Sequence, residues 1–243
     1  MKKVLTIAGS DPSGGAGIQA DLATFSAFHV QGFSAITAVT AQAPSSVRGV
    51  LPVPPAFVID QIEAVTDAFA IDAVKIGMAA KGETLTAIAE LLDRLKISTV
   101  VLDPVISSSG GFPLLERDGV PALRALLPRV HLVTPNLHEA SQLTGREVVT
   151  EEDMGEAVIR IREMGPRYVL IKGGHLEGKA VDILYDGKSV RRYVSERVGK
   201  ELHGTGCILS AALAACLAKG INVERAVKQA KTYITALIRS EGY

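Results

Sequence analysis

Cysteine is scarce in this chain: Cys207 and Cys216 are the only two in 243 residues. Two thiols make no framework of disulfides, and no C-x-x-C pair is present to grip a metal. Nine residues apart on one expected helix, they also sit too far apart to bridge each other. The expected compartment is therefore the reducing cytoplasm. Net charge is lacking as well, with 26 basic against 26 acidic residues. A neutral chain offers no general field for nucleic acid or an anionic membrane, so neither is an expected partner. Long apolar runs are missing: the uncharged stretch 208–218 is well short of the roughly 20 residues a membrane span needs. At the start, Lys2-Lys3 lead into Val4–Ala8, but Asp11 interrupts before a signal core could form. No repeat, low-complexity tract or composition break marks a linker, so residues 1–243 are expected to form one domain.

Short β-branched runs alternate with longer helical patterns from end to end. The strand candidates are 4–8, 34–40, 73–76, 99–102, 131–134, 168–171 and 181–185. The helix candidates are 16–29, 55–69, 82–95, 120–126, 137–143, 151–164, 205–219 and 223–239. Pro55 suits a first helical turn, Thr150 with Asp153 reads as a capping box, and Gly165 and Gly220 stand where helices end. Asp186-Gly187-Lys188 joins 181–185 to 189–193 as an antiparallel hairpin at one edge. This alternation predicts an α/β fold, a mostly parallel sheet with helices on both faces.

Ligands in such sheets bind beyond the carboxyl ends of the strands, where five segments here carry chemistry. They are Ala8–Asp11, Thr40-Ala41-Gln42, Leu102–Val105, Thr134–Glu139 and Ile171–His175. No Walker-type G-x-x-x-x-G-K-[ST] occurs, and no histidine pair has zinc-ligand spacing. Residues 15–20, GAGIQA, fit a relaxed dinucleotide pattern, yet the region some twenty residues on is apolar and lacks the acidic residue that would hold a ribose. Those glycines instead let the chain approach a substrate closely, with Asp11 and Asp21 nearby; solvated aspartates at a turn are the plainer alternative. Asn136 and Glu139 share one face of a helix start. They suit a water-rich Mg²⁺, or a reciprocal cap, or both. Lys172 on its glycine support suits a phosphate as a point charge, or a solvated turn.

The most informative segment is His203-Gly204-Thr205-Gly206-Cys207, which opens the apolar helix 208–218. The first turn of a helix leaves backbone N–H groups unpaired and carries the positive end of the dipole. It is a ready anion site, and Cys207 just inside it is expected to have a lowered thiol pKa. The bland alternative is a glycine turn before a core helix, with Cys207 as a small buried side chain.

Seven segments together closely resemble the hydroxymethylpyrimidine/phosphomethylpyrimidine kinases of thiamin biosynthesis, members of the ribokinase-like superfamily. They are AGSDPSGGAGIQADLATFSA (8–27), TAQ (40–42), KIGM (75–78), LDPV (102–105), TPNLHEA (134–140), KGGHLEG (172–178) and HGTGCILSAALAA (203–215). The resemblance covers essentially the whole chain. It implies a ribokinase-like three-layer fold and ATP-dependent, Mg²⁺-assisted phosphorylation of 4-amino-5-hydroxymethyl-2-methylpyrimidine, then of its monophosphate. It implies a homodimer, and a pyrimidine pocket that includes Gly9, Asp21, Gln42, Met78 and Val105. Gln42 would read the aminopyrimidine edge, since a carboxamide offers a donor and an acceptor together. Gly204, Thr205, Gly206 and Lys172 would act on phosphate, with Asn136, Lys172, Gly204 and Gly206 toward the nucleotide. Asp103, Asn136 and Glu139 would serve the metal. Cys207 stands where sugar kinases of the superfamily carry an aspartate base.

Some segments depart from the family pattern. Ala43 follows the AQ pair where Asn is common, and Pro44-Ser45-Ser46 comes after it. Residues 106–112 lack the usual lid lysine or threonine, Lys200-Glu201-Leu202 precede HGTGC in place of an Asn-Thr pair, and the usual tail is missing at Tyr243. Two rivals remain at this point: a pyridoxal/pyridoxine kinase of the same superfamily, and a non-catalytic pyrimidine-binding protein.

Overall fold

The computed structural model describes residues 1–44, 46–174, 180–195 and 203–240. Ser45, the 175–178 part of the KGGHLEG segment with His175, Lys200-Glu201-Leu202 and Tyr243 lie outside the described residues. The strands are β1 (Lys3–Ser10), β2 (Gln31–Ala43), β3 (Ser46–Pro52), β4 (Ala73–Ile76), β5 (Val100–Leu102), β6 (Leu132–Val133), β7 (Tyr168–Ile171), β8 (Ala180–Tyr185) and β9 (Val190–Ser195). The helices are α1 (Gly17–Ala27), α2 (Pro55–Ala68), α3 (Gly82–Leu95), α4 (Gly119–Leu126), α5 (Leu137–Thr144), α6 (Glu151–Glu163), α7 (Thr205–Ala218) and α8 (Val223–Ser240).

The strands form one sheet in the order β3-β2-β1-β4-β5-β6-β7-β8-β9. Pairing is parallel from β2 to β7 and antiparallel where β3 joins β2, β8 joins β7 and β9 joins β8. The hairpin read at Asp186–Lys188 is present as the β8–β9 edge. β3 escaped the sequence pattern because SVRGVLP holds an arginine and a glycine, and its side chains stay half in water. Pairing with β2 makes it a strand, which is a long-range property.

Alternate residues along the strands divide the core in two. Leu5, Ile7, Val74, Ile76, Val100 and Leu102 face one layer, with Val58 and Ile62 of α2, Leu85 and Ile88 of α3, and Val158 and Ile161 of α6. Val4, Ala73 and Val101 face the other, with Phe25 of α1, Leu209 to Ala215 of α7, and Ala226 and Val227 of α8. Helix α7 is apolar all round and buried from Ile208 to Cys216, as a helix covered on every side must be. Its run of alanines lets it lie close against the sheet between α1 and α8. The caps follow the sequence: Thr150 and Asp153 form a reciprocal box on α6, and Pro55 opens α2. No helix among the described residues is long and apolar enough to cross a membrane.

Candidate active site

The chain leaves β1 for β2 on one side and later enters β4 on the other. The carboxyl ends of β1 and β4 therefore flank a switch point, the place where sheets of this kind open a crevice. Gly9 lies on one side and Met78 on the other, so close that a Cβ at position 9 would lie 2.9 Å from Met78 Sδ. Thr37 Oγ1 donates to Met78 O at 2.5 Å and holds this turn to β2. Ala38, Met78 and Ala80 bury one another, with Val50, Val105 and Leu114 packed on them, apart from the two large cores. The result is a small apolar wall suited to a flat ring. After Val105 the chain closes on itself, as Ser108 N donates to Phe112 O and Leu114 N to Ile106 O.

Gln42, near the end of β2, is half-buried and reaches across to the start of α7. Its Nε2 lies 3.0 Å from His203 Nε2, and the same ring nitrogen lies 3.2 Å from Asp11 Oδ2. Asp11 Oδ1 also accepts from Ser13 N and Oγ, and Oδ2 from Ala16 N. Burial opposes the charge of Asp11, but these donors outweigh it and hold the carboxyl below the usual aspartate value. The loop after β1 and the loop before α7 thus interlock. Gly204 has φ +81°, and a Cβ there would lie 1.9 Å from Gly15 O. Position 204 needs glycine both for its left-handed backbone and for its close approach. Gly206 has no such backbone demand; its bare α-carbon faces Lys172 Nζ, 3.2 Å from where a Cβ would be. The first intrahelical bond of α7 runs from Ile208 N to Gly204 O. The N–H groups of Thr205, Gly206 and Cys207 are thereby left to a ligand or to water.

Lys172, just past β7, holds the third cluster together. Its Nζ lies 2.7 Å from Asp103 Oδ1 and 3.8 Å from Glu139 Oε2. Ser210 Oγ donates to Asp103 Oδ2 at 3.4 Å, which ties α7 to the same carboxylate. Asn136 caps α5 by accepting from Glu139 N, while Glu139 Oε2 accepts from Asn136 N, both at 2.8 Å. The reciprocal cap is therefore present. Burial opposes the Lys172 charge, yet Asp103 and Glu139 outweigh it and raise its pKa above the lysine value. Burial pushes Glu139 up to about 7, with Lys172 opposing and Asp103 adding to the rise. The set is oxygen-rich, and capping already occupies Asn136 Oδ1 and Glu139 Oε2. Among the described residues no three His, Cys, Asp or Glu side chains stand as a metal cage, and Lys172 already holds Asp103, so a Mg²⁺ here would be held through its waters.

Beneath α7 lies a buried polar layer. Thr6 and Lys75 are register partners on β1 and β4 and point to the α1/α7 side. Asp21 Oδ2 of α1 accepts from Thr6 Oγ1 at 2.6 Å and from Lys75 Nζ at 2.8 Å. Both members of the ion pair are 0% exposed. Asp21 is therefore no open wall of the pocket; it lies below and fixes Lys75, and its Oδ1 has no partner. Burial opposes the Lys75 charge, but Asp21 outweighs it and lifts the pKa above the lysine value. Cys207 stands above this layer. Burial pushes its thiol up to about 11, with Asp21 and Asp103 adding to the rise while Lys75 and the Gly17 N–H oppose it. The lowered thiol pKa expected from the helix end is thus reversed: burial raises it most, and Asp21 and Asp103 add to the rise.

Gly9, Met78 and Val105 come together, Gln42 meets the His203 loop, and Asp103, Asn136, Glu139, Lys172 and Gly206 form one cluster. Sequence reasoning quoted Lys75 and His203 within motifs without giving them work. A lysine inside the four-residue apolar strand AVKI was the available signal for the first. His203 had none, since its partners are 161 and 192 residues away. A groove between α3 and α4, lined by Glu83, Thr86, Asp118 and Ala122 among others, lies elsewhere and gathers none of these groups.

A family model described as phosphomethylpyrimidine kinase matches residues 11–242. A hydroxymethylpyrimidine/phosphomethylpyrimidine kinase of Rhizobium meliloti is 48% identical over 238 residues, covering 96% of this chain and 89% of that protein. A thiamine biosynthesis bifunctional protein of Geobacter sulfurreducens is also 48% identical, over 97% of this chain but only 49% of its own length. Among solved structures, an ADP complex of Bacillus subtilis pyridoxal kinase superposes with a TM-score of 0.91 at 42% identity, covering 97% of this chain and 91% of that one.

Removing one partner of a buried ion pair typically costs about 3–5 kcal/mol, because the other charge is left stranded. Lys75→Met should accordingly lower stability by that amount in urea unfolding. Adding Asp21→Leu should recover most of it, since an apolar pair of similar bulk strands no charge. A double variant no more stable than Lys75→Met would show that the pair is not the origin of the loss.

Proposed function

Because the chain belongs to the phosphomethylpyrimidine kinase family and is a kinase of hydroxymethylpyrimidine and its phosphate in thiamine biosynthesis, we propose how its clusters divide the work. The apolar wall of Gly9, Met78 and Val105 takes the pyrimidine ring, and Gln42 reads its amino edge. Asp21 serves the pocket from below, through Lys75. The observation that carries this reading is the carboxamide of Gln42, half-buried near the end of β2 and held against His203 between the loop after β1 and the start of α7. Pyridoxine is a second, weaker substrate in this reading: the wall accepts a pyridine equally well, and a close structural neighbour is a pyridoxal kinase. A mere binding protein has no use for two buried carboxylates around one ammonium beside an anion cradle.

A kinase of this family uses ATP, and the phosphoryl group in flight spreads its charge over three oxygens. The N–H groups of Thr205, Gly206 and Cys207 face that charge, with Gly204 setting their direction and Lys172 adding a point charge. Asn136, beside Lys172, completes the nucleotide side. Mg²⁺, when bound, neutralises phosphate oxygens, and Asp103, Asn136 and Glu139 are the groups that would hold its water shell. Cys207 takes the alcohol proton in its thiolate form. We further propose a single kinase domain in the cytoplasm, supported by two free cysteines. The partner is a second copy, supported by Val39 and Leu51, which pair across β2 and β3 and are 48% and 72% exposed.

Incubation with ATP, Mg²⁺ and the aminopyrimidine alcohol should yield mono- and diphosphate by mass, and omission of Mg²⁺ should abolish both. Gln42→Leu should raise KM for the alcohol by the roughly 1–3 kcal/mol that an unpaired buried polar group costs, leaving KM for ATP unchanged. An unaltered KM would remove Gln42 from the pocket.

With its thiol raised, Cys207 is mostly protonated at neutral pH, so wild-type kcat should climb as pH rises above 7. A general base contributes on the order of 10²–10⁴ in rate. Cys207→Ala should lose the climb and fall behind most at high pH. Parallel wild-type and variant profiles would leave the reaction to cradle, lysine and metal.

Sedimentation should show a dimer for the wild-type chain and a monomer for Leu51→Glu, whose charge could not be buried. A monomeric wild type at micromolar concentration would dispose of the dimer.

A further inference from the structure

The atom His203 Nε2 is shared in a way that chemistry does not allow in full. Gln42 Nε2 lies 3.0 Å from it and Asp11 Oδ2 lies 3.2 Å from it. A carboxylate only accepts, and an amide NH₂ only donates. One ring nitrogen cannot give a proton to the first and take one from the second. The other nitrogen, Nδ1, is buried with no partner. A proton on Nδ1 would be a buried N–H with no acceptor, the rarer and costlier kind of orphan, whereas a bare Nδ1 is only an unused acceptor. The proton therefore belongs on Nε2, where it is donated toward Asp11. Asp11 is itself fixed by three further donors from Ser13 and Ala16. The ring lies close over Gly15, where an added Cβ would be 2.7 Å from its Cδ2.

Carboxamide oxygen and nitrogen are near-isosteric, so the hydrogen-bond network decides which faces the ring. With Nε2 protonated, Gln42 gains by turning its oxygen toward the imidazole, whose single N–H is then shared between that oxygen and Asp11 Oδ2. We propose that His203, held by Asp11, is a specificity-positioning residue: it fixes Gln42 with its carbonyl toward the ring and its NH₂ free for substrate. The amide oxygen has a second lone pair, so it can accept from a substrate amino group as well as from His203. The pocket then presents a donor and an acceptor side by side. The matching ligand is a heteroaromatic ring with an acceptor nitrogen next to an amino group. A pyridine alcohol without that amino group matches only in part.

This inference rests on the aminopyrimidine reading, and its test separates the two. His203→Phe keeps a flat ring over Gly15 but removes both hydrogen bonds. It should raise KM and the calorimetric Kd for the aminopyrimidine alcohol roughly 5- to 100-fold, the range set by one misdirected buried polar group. KM for ATP should hold, kcat should change by less than about threefold, and the preference over pyridoxine should shrink by a similar factor. His203→Gln, whose NH₂ can donate to Asp11 and to the Gln42 oxygen, should recover most of the affinity. If His203 acts through Gln42, adding His203→Phe to Gln42→Leu should cost no more than Gln42→Leu alone. Thermal melts of each variant confirm folding before Kd is compared. Additive losses, an unchanged substrate preference, or no rescue by His203→Gln would overturn the inference while leaving the kinase reading intact. A wild-type chain that neither binds nor phosphorylates the aminopyrimidine would overturn both.

Discussion

Everything at this site depends on where α7 must lie. A helix of Ile, Leu and Ala with no polar face is stable only if it is covered on all sides, and the sheet, α1 and α8 supply that cover. Small side chains bring its axis close to β1, β4 and β5. That docking carries the unpaired first turn of the helix, with Ser210 just beyond it, to the carboxyl ends of the strands. The glycines at 15 and 204 are consequences: a Cβ at 204 would run into Gly15 O, and one at 15 into the His203 ring.

Placing a helix N-terminus in the interior also concentrates positive charge, and the surrounding side chains answer it. Lys75 and Lys172 both stand near the end of α7, each matched by buried carboxylates: Asp21 for the first, Asp103 with Glu139 for the second. Charges in such a place persist only when paired, because solvation lost on burial must be replaced by close partners. The same matching governs Cys207. From the helix end alone its thiol should be acidic, but burial, with Asp21 and Asp103 adding, raises it despite a nearby ammonium. The positive end of a helix favours an anion only to the extent that its neighbours have not already neutralised it.

The end of β2 and the start of α7 are joined by the same geometry. Gln42 comes from β2, Asp11 from the loop after β1, and His203 from the loop leading to α7, yet they meet at one ring nitrogen. A change in one loop is therefore felt in the other. The altered segment 106–112 follows Val105 and is closed on itself by Ser108 and Ile106. Its departure from the family pattern leaves the wall formed by Val105 and Met78 intact.

Local pattern was enough for most of the fold. Period-two and helical runs, with Pro55, the Thr150–Asp153 box and Gly220 as punctuation, place eight helices within a residue or two of the structure, because propensity and capping act over a few neighbours. Motifs likewise located the glycine turn that opens α7 at 203–207 and the Asn136–Glu139 capping pair. The edge strand β3 was invisible, since only its pairing with β2 makes SVRGVLP a strand. The true position of Asp21, the ion pair with Lys75, the direction of the Cys207 shift and the link from Asp11 through His203 to Gln42 were invisible too. Burial and Coulomb energy depend on distances in space, and these groups lie 54 to 192 residues apart in the chain. Sequence determined which chemical groups are present and which element carries each; only the packing of α7 onto the sheet decided which of them are buried, which are charged and which can touch.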